Sequence, residues 1–247
     1  MAAGDASRLV CCLHEVILPT ETVFLRLKSL HPDMNVEVQV PPLRKDLHDR
    51  LRELSVTNHR KYVTCCLRLV PAKNVHVYCE ALASLSMWLD TNGFVPLLCG
   101  ATGDQNYAEK CRKILREGCK QAVIYDFLPA EELATLLQET AINIHTAPYE
   151  AYGMTIIEAA GAGAAPLVHY NWKDVGATQL LAGQDQTFFC ADMESPTDLA
   201  NQVKAVLGNK DQLQLVATRA RQKALGWGEA EFASSLLSSV QSMLAGA

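Results

Sequence analysis

The chain has 247 residues, with 22 Lys and Arg against 27 Asp and Glu and a formal net charge of −5. That balance argues against a nucleic-acid binder, which would carry a basic stripe, and requires local cations or helix ends to hold any anionic ligand against the average field. With 49% hydrophobic and 20% charged residues the chain can bury a sizeable core and is not a disordered tract. The nine cysteines include two vicinal pairs, Cys11–Cys12 and Cys65–Cys66, and no C-x-x-C. Reduced thiols in an intracellular protein are therefore expected rather than disulfides or zinc. The stretch RLVCCLHEVIL is interrupted by His14 and Glu15 and does not read as a signal peptide. No apolar run approaches the ~18 residues of a membrane span.

In chain order, HEVILPTETVFLRLKSLHPDM within the first 35 residues reads as a strand end and a helix with no βαβ unit to pack on. VEVQV (36–40) is a predicted strand stopped by Pro41–Pro42, and KYVTCCLRL (61–69) a buried strand. NVHVYCEALASLSMWL (74–89) has a helical period, FVPLLCG (94–100) is a strand ending at a glycine, and QNYAEKCRKILREG (105–118) is an amphipathic helix stopped by Gly118. QAVIYDFL (121–128) follows as a strand, then a helix over 130–139 with Pro129 at its start, a strand over 141–146, a helix over 153–164 and a strand over 165–170. A short helix near 175–182, a strand at 187–190 and helices at 196–207, 209–225 and 229–245 complete the pattern. There is no internal repeat. Strand–helix alternation with short connections predicts a Rossmann-like α/β fold, a parallel sheet with helices on both faces. Ligands in such folds sit beyond the carboxyl ends of the strands.

Three elements fall at that edge. In HTAPYEAYGMTIIEAAGAGAAPLVHY (145–170), the only formal charge between Glu150 and Lys173 is Glu158. A helix starting near Gly153 presents free N–H groups and a positive dipole end, an anion site. Gly153 permits close approach, Thr155 adds a hydroxyl, and Glu158, four residues after Met154, projects toward the same mouth. Glu150 comes from the loop above. Taken alone, Glu158 also fits a partnered structural carboxylate and Glu150 a plain loop acid. In RLVPAK (68–73), Arg68 offers a fork for phosphate oxygens and Lys73 a point charge, or the two are a solvated loop pair. The turn LLCGATG (97–103) lets a ligand approach the backbone or is an ordinary turn.

R-x4-K after a core strand, followed by E-x7-E at a loop–helix junction, resembles the donor-binding half of GT-B retaining glycosyltransferases of family 4. VIYDFLPAEEL (123–133), EAYGMTIIEAAGAG and GWGEAEFASSLL are similar to further segments of that family, so the likeness covers residues 36–245. RLVPAKN, IHTAPYEAYG and the histidine in PLVH look closest to the α-1,2-mannosyltransferase of dolichol-linked oligosaccharide assembly. The resemblance implies catalytic roles for Arg68, Lys73 and Glu150. The two cations hold the diphosphate of a nucleotide sugar such as GDP-mannose or a UDP-sugar, and Glu150 touches the donor sugar. It further implies ribose binding by Glu158, contacts to phosphate or sugar at Gly153, Met154 and Thr155, and a nucleobase border formed by Tyr125, Phe127 and Leu128. It implies no metal and no cofactor beyond the donor substrate, a glycan or lipid-linked acceptor, and a cytoplasmic location at the cytosolic face of the endoplasmic reticulum.

Residues 36–247 would then be the donor-binding domain and residues 1–35 the tail of an acceptor half, supplied by a missing segment or a separate chain. Unpaired apolar area is accordingly expected near residues 8–30 and around Trp227 and Phe232. The alternative is a non-catalytic nucleotide-sugar-binding or scaffold module with a degenerate half. Leu67, Asp126 and NWKD (171–174) stand where the family commonly has glycines, changes expected to narrow the site or alter donor choice.

Overall fold

The computed structural model describes residues 29–30, 40–53 and 60–245. The expected N-terminal remnant and the strand at 36–40 lie outside the described residues, apart from the helical pair 29–30 and Val40, which is in no strand. Six strands are described: β1 (Tyr62–Cys66), β2 (Val95–Cys99), β3 (Val123–Tyr125), β4 (Thr140–Ile144), β5 (Ala165–His169) and β6 (Phe189–Ala191). The helices are α1 (Lys45–Glu53), α2 (Val75–Ser84), α3 (Ser86–Asn92), α4 (Gln105–Gly118), α5 (Ala130–Gln138), α6 (Met154–Gly161), α7 (Ala177–Leu181), α8 (Pro196–Gly208), α9 (Lys210–Leu225) and α10 (Glu229–Ala245). None is long and apolar enough to cross a membrane.

The strands form one sheet in the order β3-β2-β1-β4-β5-β6, every pair parallel. This is the predicted Rossmann-like sheet. Its central strands read as unbroken apolar runs because both faces are covered: every residue of β4 and β5 is buried. On one face Val63, Ile142, Ile144 and Leu167 pack with α2, α4 and α8. On the other, Val168 packs with Ile156 and Ile157 of α6 and with α1, α7 and α9. Pro96 leaves β2 one N–H short in a central strand. The buried Tyr78 hydroxyl enters beside it, accepting from the Leu97 N–H (2.9 Å) and donating to the Val63 carbonyl (2.7 Å).

Four details differ from expectation. The helix over 74–89 is two helices, because Leu85 (φ −96°, ψ 1°) leaves helical geometry and redirects α3, stacking Trp88 on Phe94. The strand at 121–128 ends at Tyr125: Asp126 turns out to Arg112 (2.7 Å) and Phe127 is exposed. Helix α1 had no sequence counterpart, although Leu47 and Leu51 repeat at four residues, and with Leu43 and Leu51 it closes over Gly161 of α6. Trp227 and Phe232, expected to present unpaired apolar surface, are partly buried edge to face at 6.4 Å, with the indole N–H donating to the Val40 carbonyl (3.0 Å). On α10 it is Leu237 that stands exposed.

Candidate functional site

From β1 the chain runs outward to β2 and β3, and from β4 to β5 and β6. The loops leaving the carboxyl ends of β1 and β4 therefore diverge and open a crevice. After β1 comes a 3-10 turn, Pro71–Lys73, and then Asn74 in the left-handed region (φ 49°), which redirects the chain into α2. Thr146, just past β4, donates its hydroxyl to the Lys73 carbonyl (2.6 Å) and ties the two loops together. Across this tie the Lys73 ammonium meets Glu150 Oε2 at 2.5 Å, each side chain 18% exposed.

Glu150 is held by its backbone as well. Its N–H donates to the Asp174 carbonyl (3.0 Å) and its carbonyl accepts from Gly176 (3.1 Å). The NWKD segment that departs from the family's glycines thus forms a turn, Trp172–Asp174, closed by an Asn171–Asp174 side-chain hydrogen bond (2.6 Å), and it pins Glu150. His145, the first residue after β4, lies wholly inside, its side chain 1% exposed and Nε2 3.5 Å from Glu150 Oε2. Neither ring nitrogen has a hydrogen-bond partner among the described residues. Burial pushes the imidazole below its ordinary pKa; Glu150 pulls it up and Lys73 pushes it down again.

Burial alone would raise the Glu150 carboxyl, but His145 and Lys73 beside it outweigh that and hold it at about 2, against an ordinary 4.5. A carboxyl so depressed stabilises the folded chain fully above its unfolded pKa, and the contribution is lost as pH falls from 4.5 through about 2. The shift corresponds to on the order of 3 kcal/mol. Acid unfolding followed by circular dichroism should therefore show the stability gap between the native chain and Glu150→Gln shrinking across that window. A gap that does not change with pH would contradict the pairing.

Gly153 caps α6 at φ 90°, ψ 61°, a conformation that strains other residues. A Cβ there would also lie 3.0 Å from Ile156, 3.2 Å from Glu150 Cγ and 3.4 Å from His145 Cε1. The first-turn N–H groups of α6, at Met154 and Thr155, open at this mouth. One turn on, Glu158 is 9% exposed, and its carboxylate makes no hydrogen bond or ion pair among the described residues. Burial raises its pKa, Arg44 opposes this and Asp46 adds to it. Cys66, at the end of β1, packs with Cys99 and Leu128.

Lys73, Glu150 and Gly153 are thus gathered in one place, with Met154, Thr155 and Glu158 on the helix that starts there. Arg68, Tyr125, Phe127 and Leu128 are placed by other contacts. Arg68 is exposed and unpaired among the described residues, and its stem runs over Gly103, where a Cβ would lie 3.1 Å from Arg68 Cγ and 2.4 Å from Val70 Cγ1. The glycine-rich turn after β2 accommodates the β1 loop, and the space over Gly103 is filled by protein. Phe127 is 76% exposed, and Tyr125 lines a hollow of about 380 Å³ with Leu128, Thr135 and Leu136 along α5. Sequence reasoning did not single out His145. Its only signal there was a histidine ending an apolar strand.

The model of the family described as glycosyl transferases group 1 matches residues 49–223. No match is found among curated proteins. Among solved structures, a glycosyltransferase from Rickettsia africae superposes with TM-score 0.72 at 17% identity, over 91% of this chain and 62% of its own. Sucrose-phosphate synthase from Thermosynechococcus elongatus gives 0.68 at 15% identity, over 93% and 58%. Anabaena HepE, solved with UDP and glucose, gives 0.63 at 16% identity, over 87% and 59%. The chain spans about three fifths of the length of each, and at these identities the likeness is one of fold. With the family match running from within α1 to within α9, across the whole sheet, the chain belongs to the glycosyl transferases group 1 family.

Proposed function

We propose that the chain is the nucleotide-sugar-binding half of a retaining family 4 glycosyltransferase, transferring a hexose such as mannose from a nucleotide-diphosphate sugar, GDP-mannose or a UDP-sugar, to a glycan or lipid-linked acceptor at the cytosolic face of the endoplasmic reticulum. The observation that carries this reading is the Lys73–Glu150 pair at the mouth of α6, with the unpartnered carboxylate of Glu158 one turn along. HepE, a protein of similar fold, was solved with UDP and glucose, which suits a donor of this class. Lys73 and the solvent-facing Arg68 hold the diphosphate, and the N–H groups after Gly153 add backbone donors and a helix dipole. Glu158 accepts the ribose hydroxyls, Glu150 the hydroxyls of the donor sugar, and Tyr125 to Leu128 border the base.

Transfer in this reading is electrostatic assistance to a departing diphosphate, with retention at the anomeric carbon and without a covalent enzyme intermediate or a metal. Residues 36–247 form the donor domain and residues 1–35 the tail of an acceptor half, which a missing segment or partner chain completes and which shuts water from the cleft. Calorimetry of the chain with GDP, UDP and their sugar conjugates, joined to a donor-hydrolysis assay, tests the reading. Binding of a nucleotide diphosphate is expected. Binding with turnover supports the enzyme reading, binding without turnover points to the non-catalytic nucleotide-sugar-binding module, and absence of binding overturns the proposal.

A further inference from the structure

We propose that His145 is a positioning residue that takes hold of Glu150 when a donor diphosphate draws Lys73 away, an inference that rests on the donor-site reading above. An orphan polar ring in a strand end this deeply buried is unusual, since an unpaired buried polar group destabilises the fold and a leucine would not. The ring already lies within ion-pair distance of a partner but is not hydrogen-bonded to it: Nε2 is 3.5 Å from Glu150 Oε2, while Lys73 reaches the same oxygen at 2.5 Å. Both groups address Oε2, and Oε1 has no partner among the described residues.

The placement of the ring is fixed. The His145 backbone N–H donates to the Leu167 carbonyl (2.9 Å), and the imidazole packs beneath Gly153, where a side chain would meet it. Lys73 and His145 are the two side chains that meet the Glu150 carboxylate among the described residues. An ammonium engaged by a diphosphate leaves that half-buried carboxylate short of a donor. The Nε2–H tautomer of a neutral imidazole supplies one, with a movement of less than an ångström to reach ordinary hydrogen-bond length. Because burial keeps the ring neutral, the exchange adds no second cation to compete with Lys73 for phosphate. Glu150 then stays ionised and oriented, with Oε1 left to accept a hydroxyl of the donor sugar.

The test compares GDP with GDP-mannose, and UDP with UDP-glucose, on the full chain, its His145→Leu variant and its His145→Gln variant, whose amide carries an N–H to about the Nε2 position. The leucine variant is expected to bind the bare nucleotide like the native chain but to lose about tenfold of its affinity for the nucleotide sugar, one charge-assisted hydrogen bond; the glutamine variant should restore it. In ¹⁵N-histidine spectra, the Nε2 resonance of His145 should move to a hydrogen-bonded N–H position on adding the nucleotide sugar. Leucine and glutamine variants that bind alike, or an Nε2 resonance that does not move, would overturn the inference while leaving the donor site intact. A native chain that binds none of the four probes overturns the donor-site reading and this inference with it.

Discussion

Replacing Lys73 with alanine is expected to weaken binding of a nucleotide diphosphate by about 10- to 150-fold, the equivalent of one hydrogen bond between charged groups. The same change should destabilise the unliganded chain. Glu150 would keep a carboxylate with 18% of its side chain exposed and lose the ammonium 2.5 Å away. Breaking a buried pair from one side costs about 3–5 kcal/mol; with the pair partly exposed and His145 3.5 Å away to take up the carboxylate, the cost here falls at or below the lower end of that range. The double variant Lys73→Ala, Glu150→Gln separates the two consequences. It removes the stranded charge, so stability in urea should return most of the way, whereas nucleotide affinity should not. A Lys73→Ala chain that binds GDP or UDP like the native protein would refute the role given to that ammonium, whatever its stability.

The second large effect has opposite signs for stability and for binding. Glu158 is buried, its carboxylate is unpartnered among the described residues, and its pKa is raised by burial, with Arg44 opposing and Asp46 reinforcing. A carboxyl whose folded pKa lies above its unfolded value costs nothing at low pH. It destabilises progressively as pH rises through the unfolded value toward the folded one. Glu158→Gln should therefore be more stable than the native chain at pH 7, by on the order of 1 kcal/mol, from relief of a partly desolvated charge. It should show little advantage near pH 4. Binding should move the other way: GDP affinity should fall, and the native preference for GDP over 2′-deoxy-GDP should disappear, because a carboxylate that accepts ribose hydroxyls reads the sugar. A variant that keeps the ribose preference would place the ribose elsewhere. A variant less stable than the native chain at neutral pH would mean that Glu158 is satisfied in the folded state.

The sheet, its direction and the helix mouth at Gly153 were legible because apolar runs, glycine and proline positions and the 3.6-residue period act locally. Relations between distant segments were less so. Arg68 and Lys73 look equivalent in RLVPAK, yet the 3-10 turn folds Lys73 inward while Arg68 lies over Gly103 in solvent. Lys73 and Glu150 were both named, but as separate ligand contacts; that they hold each other across 77 residues of chain depends on β1 and β4 being neighbours. NWKD looked like an obstruction at the donor site and is a brace for the Glu150 backbone, because its hydrogen bonds run through main-chain atoms. Helix α1 escaped notice in a segment dominated by charge, KDLHDRLRE, whose packing leucines are few.

The adjacency of β1 and β4 also governs how the chain emerges from the ribosome. A polypeptide made only as far as residue 139 has what it needs to align β1, β2 and β3, yet the far side of β1 stays an open edge to which foreign strands can add. At ordinary elongation speeds of 5–20 residues per second, the 77 residues separating the ammonium from its carboxylate take roughly 4–15 s to make. Through that interval a nascent chain is open to mispairing, and the crevice between the β1 and β4 loops does not yet exist for a small molecule to stabilise.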